Sequence, residues 1–366
     1  MTRRRPTEHD PERFRRERRR ALASLAAWPL LANGLGCGGG GGQGEAKSGA
    51  GPRTLVVYSA LDREFSEPIL DAYARARGVK IRSKFDVEST KTVALTNLIA
   101  EEADRPRCDL FWNNEVLNTL RLRQKGLIQP FRPASASSYP DAFKASDETW
   151  YGFAARARIL LVNTSLVPEA DRPRGLLDLI RPKWKGKVAI AKPLFGTTAT
   201  HAACLFAAWG PGRARAYFRD LKANGARVLS GNKQVARAVA SGEVAVGLTD
   251  TDDATAERDD GRPVAIVYPD REPGALGTLF IPNTLAVVKN APHAAEAEAL
   301  ADYLLSPAVE TALARGPSAQ VPLNPAVTEP ARVETPKTVH PMPADWGAAV
   351  ALWDEAAAFF AAEFAG

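Results

Sequence analysis

The chain has 366 residues, 45% hydrophobic and 25% charged, the balance of a soluble globular protein with room for one two-lobed domain or two ordinary ones. Its formal charge of +6 suggests a nucleic-acid partner, but the charge is local. Nine arginines and four acids fall in residues 1–36, which leaves 39 of the 48 basic and 38 of the 42 acidic residues for 37–366, a net of +1. A balanced body offers no electrostatic footprint to a phosphate backbone, so nucleic acid is excluded as a partner.

Arg18-Arg19-Arg20 closes the basic region and opens the apolar run Ala21–Leu35. That run is too short to span a bilayer, which takes about 20 apolar residues. It ends in Gly34-Leu35-Gly36-Cys37, a small-residue stretch before a cysteine that resembles a bacterial lipoprotein signal. Residues 1–36 are therefore expected to be an export signal of twin-arginine character, cleaved so that Cys37 becomes an acylated N-terminus. Residues 37–53, rich in glycine, would form the tether. The expected location is the periplasmic or extracytoplasmic face of the cell membrane, with a lipid anchor on Cys37. A basic N-terminus with an incidental cysteine is the plainer alternative. Cys108 and Cys204 are expected as two separate buried thiols, although export would permit pairing.

From Thr54 onward, short apolar runs alternate with amphipathic stretches. Strands are expected at Leu55–Tyr58, Val79–Phe85 and Asp109–Trp112, with helices over Asp62–Ala76, Thr90–Ala103 and up to Lys125, where Gly126 closes the last one. After a Pro/Ser-rich stretch, strands resume at Ile159–Val162 and Lys187–Ala191. Helices follow at Thr198–Trp209, Pro211–Ala223 and Lys233–Ser241. Val244–Leu248 and Val264–Tyr268 are further strands, and Leu279–Lys289 reads as a strand broken by Pro282. His293–Leu305 is helical, 317–343 is irregular, and Asp345–Phe364 is a final helix. The repetition predicts an α/β fold with mainly parallel sheets covered on both faces.

Catalytic signatures are absent. The four histidines are scattered, no zinc-type spacing exists, and no G-x-S-x-G occurs. What the sequence does carry is a polar cluster at nearly every strand end, where open α/β sheets collect ligands. Ser59 and Asp62 follow the first strand, Thr90 the second, and Asn113 and Asn114 the third. Arg156 and Arg158 alternate on the segment entering Ile159. Gly196, Thr197 and Thr198 open a helix whose N–H groups suit an anion. Asp250, Asp252 and Asp253 follow the strand ending at Leu248. Ser, Thr and Asn at such positions also serve as ordinary helix caps. Three carboxylates in four positions repel one another, however, and a cation or a proton relieves them.

The segments Val57-Tyr58-Ser59-Ala60, Asp109–Glu115, Arg156–Thr164, Pro182–Lys187, Ser241-Gly242-Glu243, Pro273–Leu276 and Val321–Pro325 together resemble the periplasmic solute-binding proteins of ABC importers, in particular the ferric-ion-binding branch. The resemblance implies a type II fold, two α/β lobes on a two-stranded hinge with ligand between them. Lobe one would comprise 54–153 and 277–330, and lobe two 156–272 and 331–366. It further implies a monomeric, non-enzymatic receptor that takes ferric iron or another hard metal ion with a synergistic anion and delivers it to an ABC permease. The anion would sit on Gly196, Thr197, Thr198 and Asn232, and the metal on Asp62, Asp250, Asp252 and Asp253. Ferric members carry two adjacent tyrosines where this chain has Asp252 and Asp253. That replacement keeps a hard-oxygen site but equally suits an ammonium group. A zwitterionic or phosphorylated organic solute, such as a phosphonate or sugar phosphate, is therefore the alternative. A metal-dependent phosphoesterase is the rival from another class.

Overall fold

The computed structural model describes residues 54–87 and 90–364. The expected export signal, the tether and Cys37 lie outside the described residues. Among the described residues, ten strands form one connected sheet. The first three are β1 (Thr54–Ser59), β2 (Lys80–Phe85) and β3 (Leu110–Asn113). Each of the first two is followed by a helix, α1 (Arg63–Arg77) and α2 (Val93–Glu101), and β1 pairs in parallel with both β2 and β3. Helix α3 (Leu117–Gln124) and the short β4 (Ile128–Gln129) complete this half.

Strand β5 is far longer than the apolar run Ile159–Val162 suggests: it extends over Tyr151–Asn163 and is buried throughout. Its first part pairs with β10 (Phe280–Val288) and its second with β8 (Val246–Asp250) and β9 (Val264–Val267). The two arginines in its middle hide the strand from a hydrophobicity reading. Strand β10 runs antiparallel to β3 and is continuous through Pro282; instead of a break, the register against β5 shifts between Ile281 and Asn283. Proline is tolerated at such an irregularity because no ladder N–H is needed there.

The second half is built from β6 (Val188–Ala191) and β7 (Arg227–Leu229), parallel to each other, with β6 also parallel to β8. Helices α4 (Gly196–Trp209), α5 (Pro211–Ala223), α6 (Asn232–Ala240) and α7 (Thr251–Asp259) cover it. Helices α8 (Ala294–Leu304) and α9 (Pro307–Arg315) follow β10; the sequence pattern separates only the first of them. The expected final helix is two, α10 (Trp346–Ala351), capped by the Asp345 carboxylate on the Ala348 N–H at 2.9 Å, and α11 (Trp353–Phe364).

Successive strand residues face opposite sides, so they feed two cores. Val57, Leu110 and Trp112 pack into one, and Tyr58 and Phe111 into the other. Phe218, Phe360 and Phe364 seat α11 on α5, with Phe218 and Phe360 edge-on at 4.7 Å. Arg121 of α3 lies over the Trp353 ring at 5.2 Å, so the C-terminal helices touch both halves. Cys108 and Cys204 are free and buried, as expected.

Candidate functional site

Strand ends determine where the polar side chains meet. Helices α4 and α6 each begin with a residue that supplies no side-chain cap, Phe195 and Gly231. Both N-termini open on one narrow crevice between the halves, with a cavity volume of about 20 Å³. Gly196, Thr197, Thr198, Ser230, Gly231 and Asn232 line one wall. Aligned peptide dipoles make such a wall electropositive, and Lys91 and Lys192 add to it. Gly196 has a φ of +58°, a left-handed conformation that disfavours a side chain. Its N–H donates to the Lys91 carbonyl at 3.1 Å, joining the two halves backbone to backbone.

Beside this wall, in the same half, lies an acidic cluster. Asp250 stands at the N-cap position of α7 without a side-chain capping bond, and Asp252 and Asp253 occupy its first turn. One carboxylate oxygen from each of the three lies within 4.8 Å of the others. Their roles differ. Asp250 is 5% exposed and receives Arg158 at 2.6 Å, the Thr197 hydroxyl and the Asn232 amide at 3.0 Å. Its hydrogen bonds are all made within the second half. Asp252 is held well above the usual carboxylate range: burial is the main cause, Arg156 opposes it, and the charges of Asp250 and Asp62 reinforce it. Arg156 stands 4.0 Å from Asp252 and donates to the Asn114 carbonyl.

Asp62 faces this wall from the other half, yet it is paired with the Lys91 ammonium. Burial pushes its carboxyl up, but Lys91 outweighs burial and the net shift is downward. Lys91 was not among the expected site residues, although it stands next to Thr90 in the same polar cluster. Lys192, just past β6, was equally missed because a single lysine after a strand carries no pattern.

Five expected contact residues do not line the crevice: Asp62, held by Lys91, and four others. Arg158 is fully buried behind Asp250, where its Nε donates to His201 Nδ1 at 3.4 Å. Ser59 turns onto Leu61 and Ser66, at 3.2 and 3.3 Å. Thr90 donates to Asp86 at 3.0 Å. Asn113 donates to Glu115 at 2.9 Å. Glu115 itself is buried, takes the N–H groups of Leu117 and Asn118, and accepts the Thr200 hydroxyl of the other half at 2.7 Å. These residues brace the walls. Asn114, Arg156, Gly196, Thr197, Thr198, Asn232, Asp250, Asp252 and Asp253 do line the crevice.

Two half-sheets joined through β5 and β10, with polar strand ends facing one crevice, form the frame of a two-lobed binding protein. Residues 109–342 match the bacterial extracellular solute-binding protein family. The chain belongs to that family. This solute-binding protein is 27% identical over 293 residues to the major ferric iron-binding protein of Neisseria meningitidis, covering 76% of this chain and 84% of that one. Its fold is shared with iron-bound HitA from Pseudomonas aeruginosa, at a TM-score of 0.76 and 23% identity, over 84% of this chain and 98% of that one. The same TM-score, with 21% identity over 86% and 99%, relates it to AfuA from Actinobacillus pleuropneumoniae with fructose-6-phosphate bound. Among its described residues no helix is long and apolar enough to cross a membrane.

Proposed function

We propose that this solute-binding protein is the receptor of an ABC import system, anchored through Cys37 at the outer face of the cell membrane, and that its crevice takes a hard metal ion together with an anion. The metal would lie against Asp252 and Asp253, and the anion on the N-termini of α4 and α6. The observation that carries this reading is the trio Asp250, Asp252 and Asp253, clustered within 4.8 Å beside two helix N-termini. Such a bipolar cleft binds a cation and an anion side by side. The ferric iron-binding relative of similar length supports iron as the cation. Two carboxylates in place of two phenolates keep the ligands hard. Asp62 would join them only by leaving Lys91.

One observation favours a second reading, a zwitterionic or phosphorylated organic solute. Arg156 at 4.0 Å from Asp252 and Lys91 on Asp62 already balance much of the acidic wall, which suits a ligand of low net charge better than a trivalent ion alone. Elemental analysis with native mass spectrometry, on protein purified without added ligand, separates the two. Iron in stoichiometric amount supports the metal reading. An organic mass with no metal, together with thermal stabilisation by 2-aminoethylphosphonate or fructose 6-phosphate but not by ferric citrate, replaces it.

A further inference from the structure

Away from the crevice, a buried acid grips the strand that joins the lobes. Glu310 on α9 is fully buried. Its Oε1 accepts the Ala154 N–H at 2.5 Å and the Leu323 N–H at 3.1 Å. Its Oε2 accepts the Leu323 N–H at 3.0 Å and the Asn324 N–H at 2.6 Å. Ala154 lies in β5 with a φ of +43°, a left-handed conformation that is unfavourable for an alanine. The next residue, Ala155, exchanges two backbone hydrogen bonds with Val321, at 2.8 and 2.7 Å. Opposite this kink, β10 shifts register between Ile281 and Asn283, and the Asn283 amide donates to the Ala154 carbonyl and to Gln320. Both strands that connect the lobes are thus irregular at one level, and Glu310 is the charged group held there.

We propose that Glu310 is a positioning residue for lobe closure: by holding the Ala154 N–H together with those of Leu323 and Asn324, it maintains the kink in β5 and fixes the angle at which the crevice shuts. Only a carboxylate offers acceptors at both oxygens; a carboxylic acid or an amide turns one of them into a donor facing N–H groups. Strained backbone of this kind persists only while its surroundings enforce it. Burial pushes the Glu310 carboxyl up to about 7, against the three N–H groups and the Tyr139 hydroxyl, which hold it down. Tyr139 is the titratable side chain that faces it, and burial pushes that phenol well up. The grip therefore strengthens as pH rises through about 7. The inference rests on the receptor reading only in giving closure a purpose, because its main test needs no ligand.

The test is small-angle scattering of the ligand-free full chain between about pH 6 and about pH 8.5. Wild type should contract as pH rises, with a midpoint near 7. Glu310→Gln should stay expanded at every pH, and Ala154→Gly in the same chain should restore the compact form, since glycine adopts the kink unaided. A role in packing alone predicts no such rescue. A folded Glu310→Gln that scatters like wild type throughout overturns the proposal. If Glu310→Gln does not fold, Ala154→Gly alone decides: it should abolish the pH-dependent contraction, and an unchanged midpoint near 7 overturns the proposal. With ferric citrate as probe, Glu310→Gln should bind about tenfold more weakly at pH 8 than wild type. A wild type that contracts with pH yet ignores ferric citrate leaves the hinge role intact and removes the metal reading instead.

Discussion

Arg158 and Asp250 meet at 2.6 Å with neither side chain more than 7% exposed, so the aspartate trio contains one member already neutralised from behind. The ion pair forms between directly paired residues of β5 and β8. It is cross-linked by Asn232 and Thr197, which donate to the same carboxylate. The acidic wall offered to a ligand is therefore Asp252 and Asp253.

Arg158 should behave as a pillar rather than a ligand contact. Arg158→Ala leaves Asp250 buried without its cation and is expected to cost about 3–5 kcal/mol of stability. Arg158→Lys should recover part of that loss, because an ammonium lacks the planar fork. Urea denaturation of the ligand-free protein checks both. A stable Arg158→Ala that binds no solute would instead return Arg158 to the ligand.

Asp252→Ala with Asp253→Ala should abolish stabilisation by ferric citrate. A ligand at a hundred times its Kd contributes about 2.7 kcal/mol, which for a chain of this size raises Tm by about 5 °C. The double variant should melt at the same temperature with and without ferric citrate. Equal stabilisation of variant and wild type would dismiss the aspartate site.

Proton release should accompany cation binding. The Asp252 carboxyl sits at about 7, mainly through burial, against about 3.9 in an unfolded chain. The folded state binds more protons over that interval, so this group's contribution to stability is fullest below about pH 4 and is lost as pH rises through about 7. A metal ion displaces the proton, so affinity should climb with pH up to about 7 and then level. Calorimetry in two buffers of different ionisation enthalpy measures the release. Asp252→Asn should cut it by close to one proton, and an unchanged count would reject the assignment.

Gly247→Ala should damage the anion wall from inside the core. A Cβ at Gly247 would lie 2.5 Å from Val235 Cγ1 and 2.8 Å from Val239 Cγ2, pushing α6 off β8 and carrying Asn232 with it. The expected cost is about 1–3 kcal/mol, read as a lower Tm, with weaker binding of phosphate-bearing solutes. Full stability together with intact binding would show that α6 has slack there.

The alternation of apolar runs and amphipathic helices made the fold class legible, because parallel strands buried on both faces leave that trace. Strand β5 was legible only at its apolar end; Arg156 and Arg158 are buried by partners distant in sequence, Asn114 and Asp250, which no local pattern announces. Asp252, Asp253, Thr197, Thr198 and Asn232 were readable as strand-end polar groups. Ser59, Asn113 and Thr90 looked the same in sequence, yet each is consumed by a neighbour two to seven residues away. Local hydrogen bonding, rather than residue type, separates the two groups. Glu310 escaped notice because α9 follows α8 with hardly a break, and its partners lie at the far end of β5 and beyond residue 320.

Strand β5 passes from one half of the molecule to the other between Arg156 and Arg158, which makes Arg156 a neighbour of the pivot and Lys91 a passenger on the rim. A given swing of the lobes displaces an atom in proportion to its distance from the axis. On closure and opening, Arg156 and Asp252 would thus keep nearly constant company while Lys91 and Gly196 would part and rejoin. Selectivity would be set near the fulcrum, and the rates of entry and escape by how readily the rim lets go.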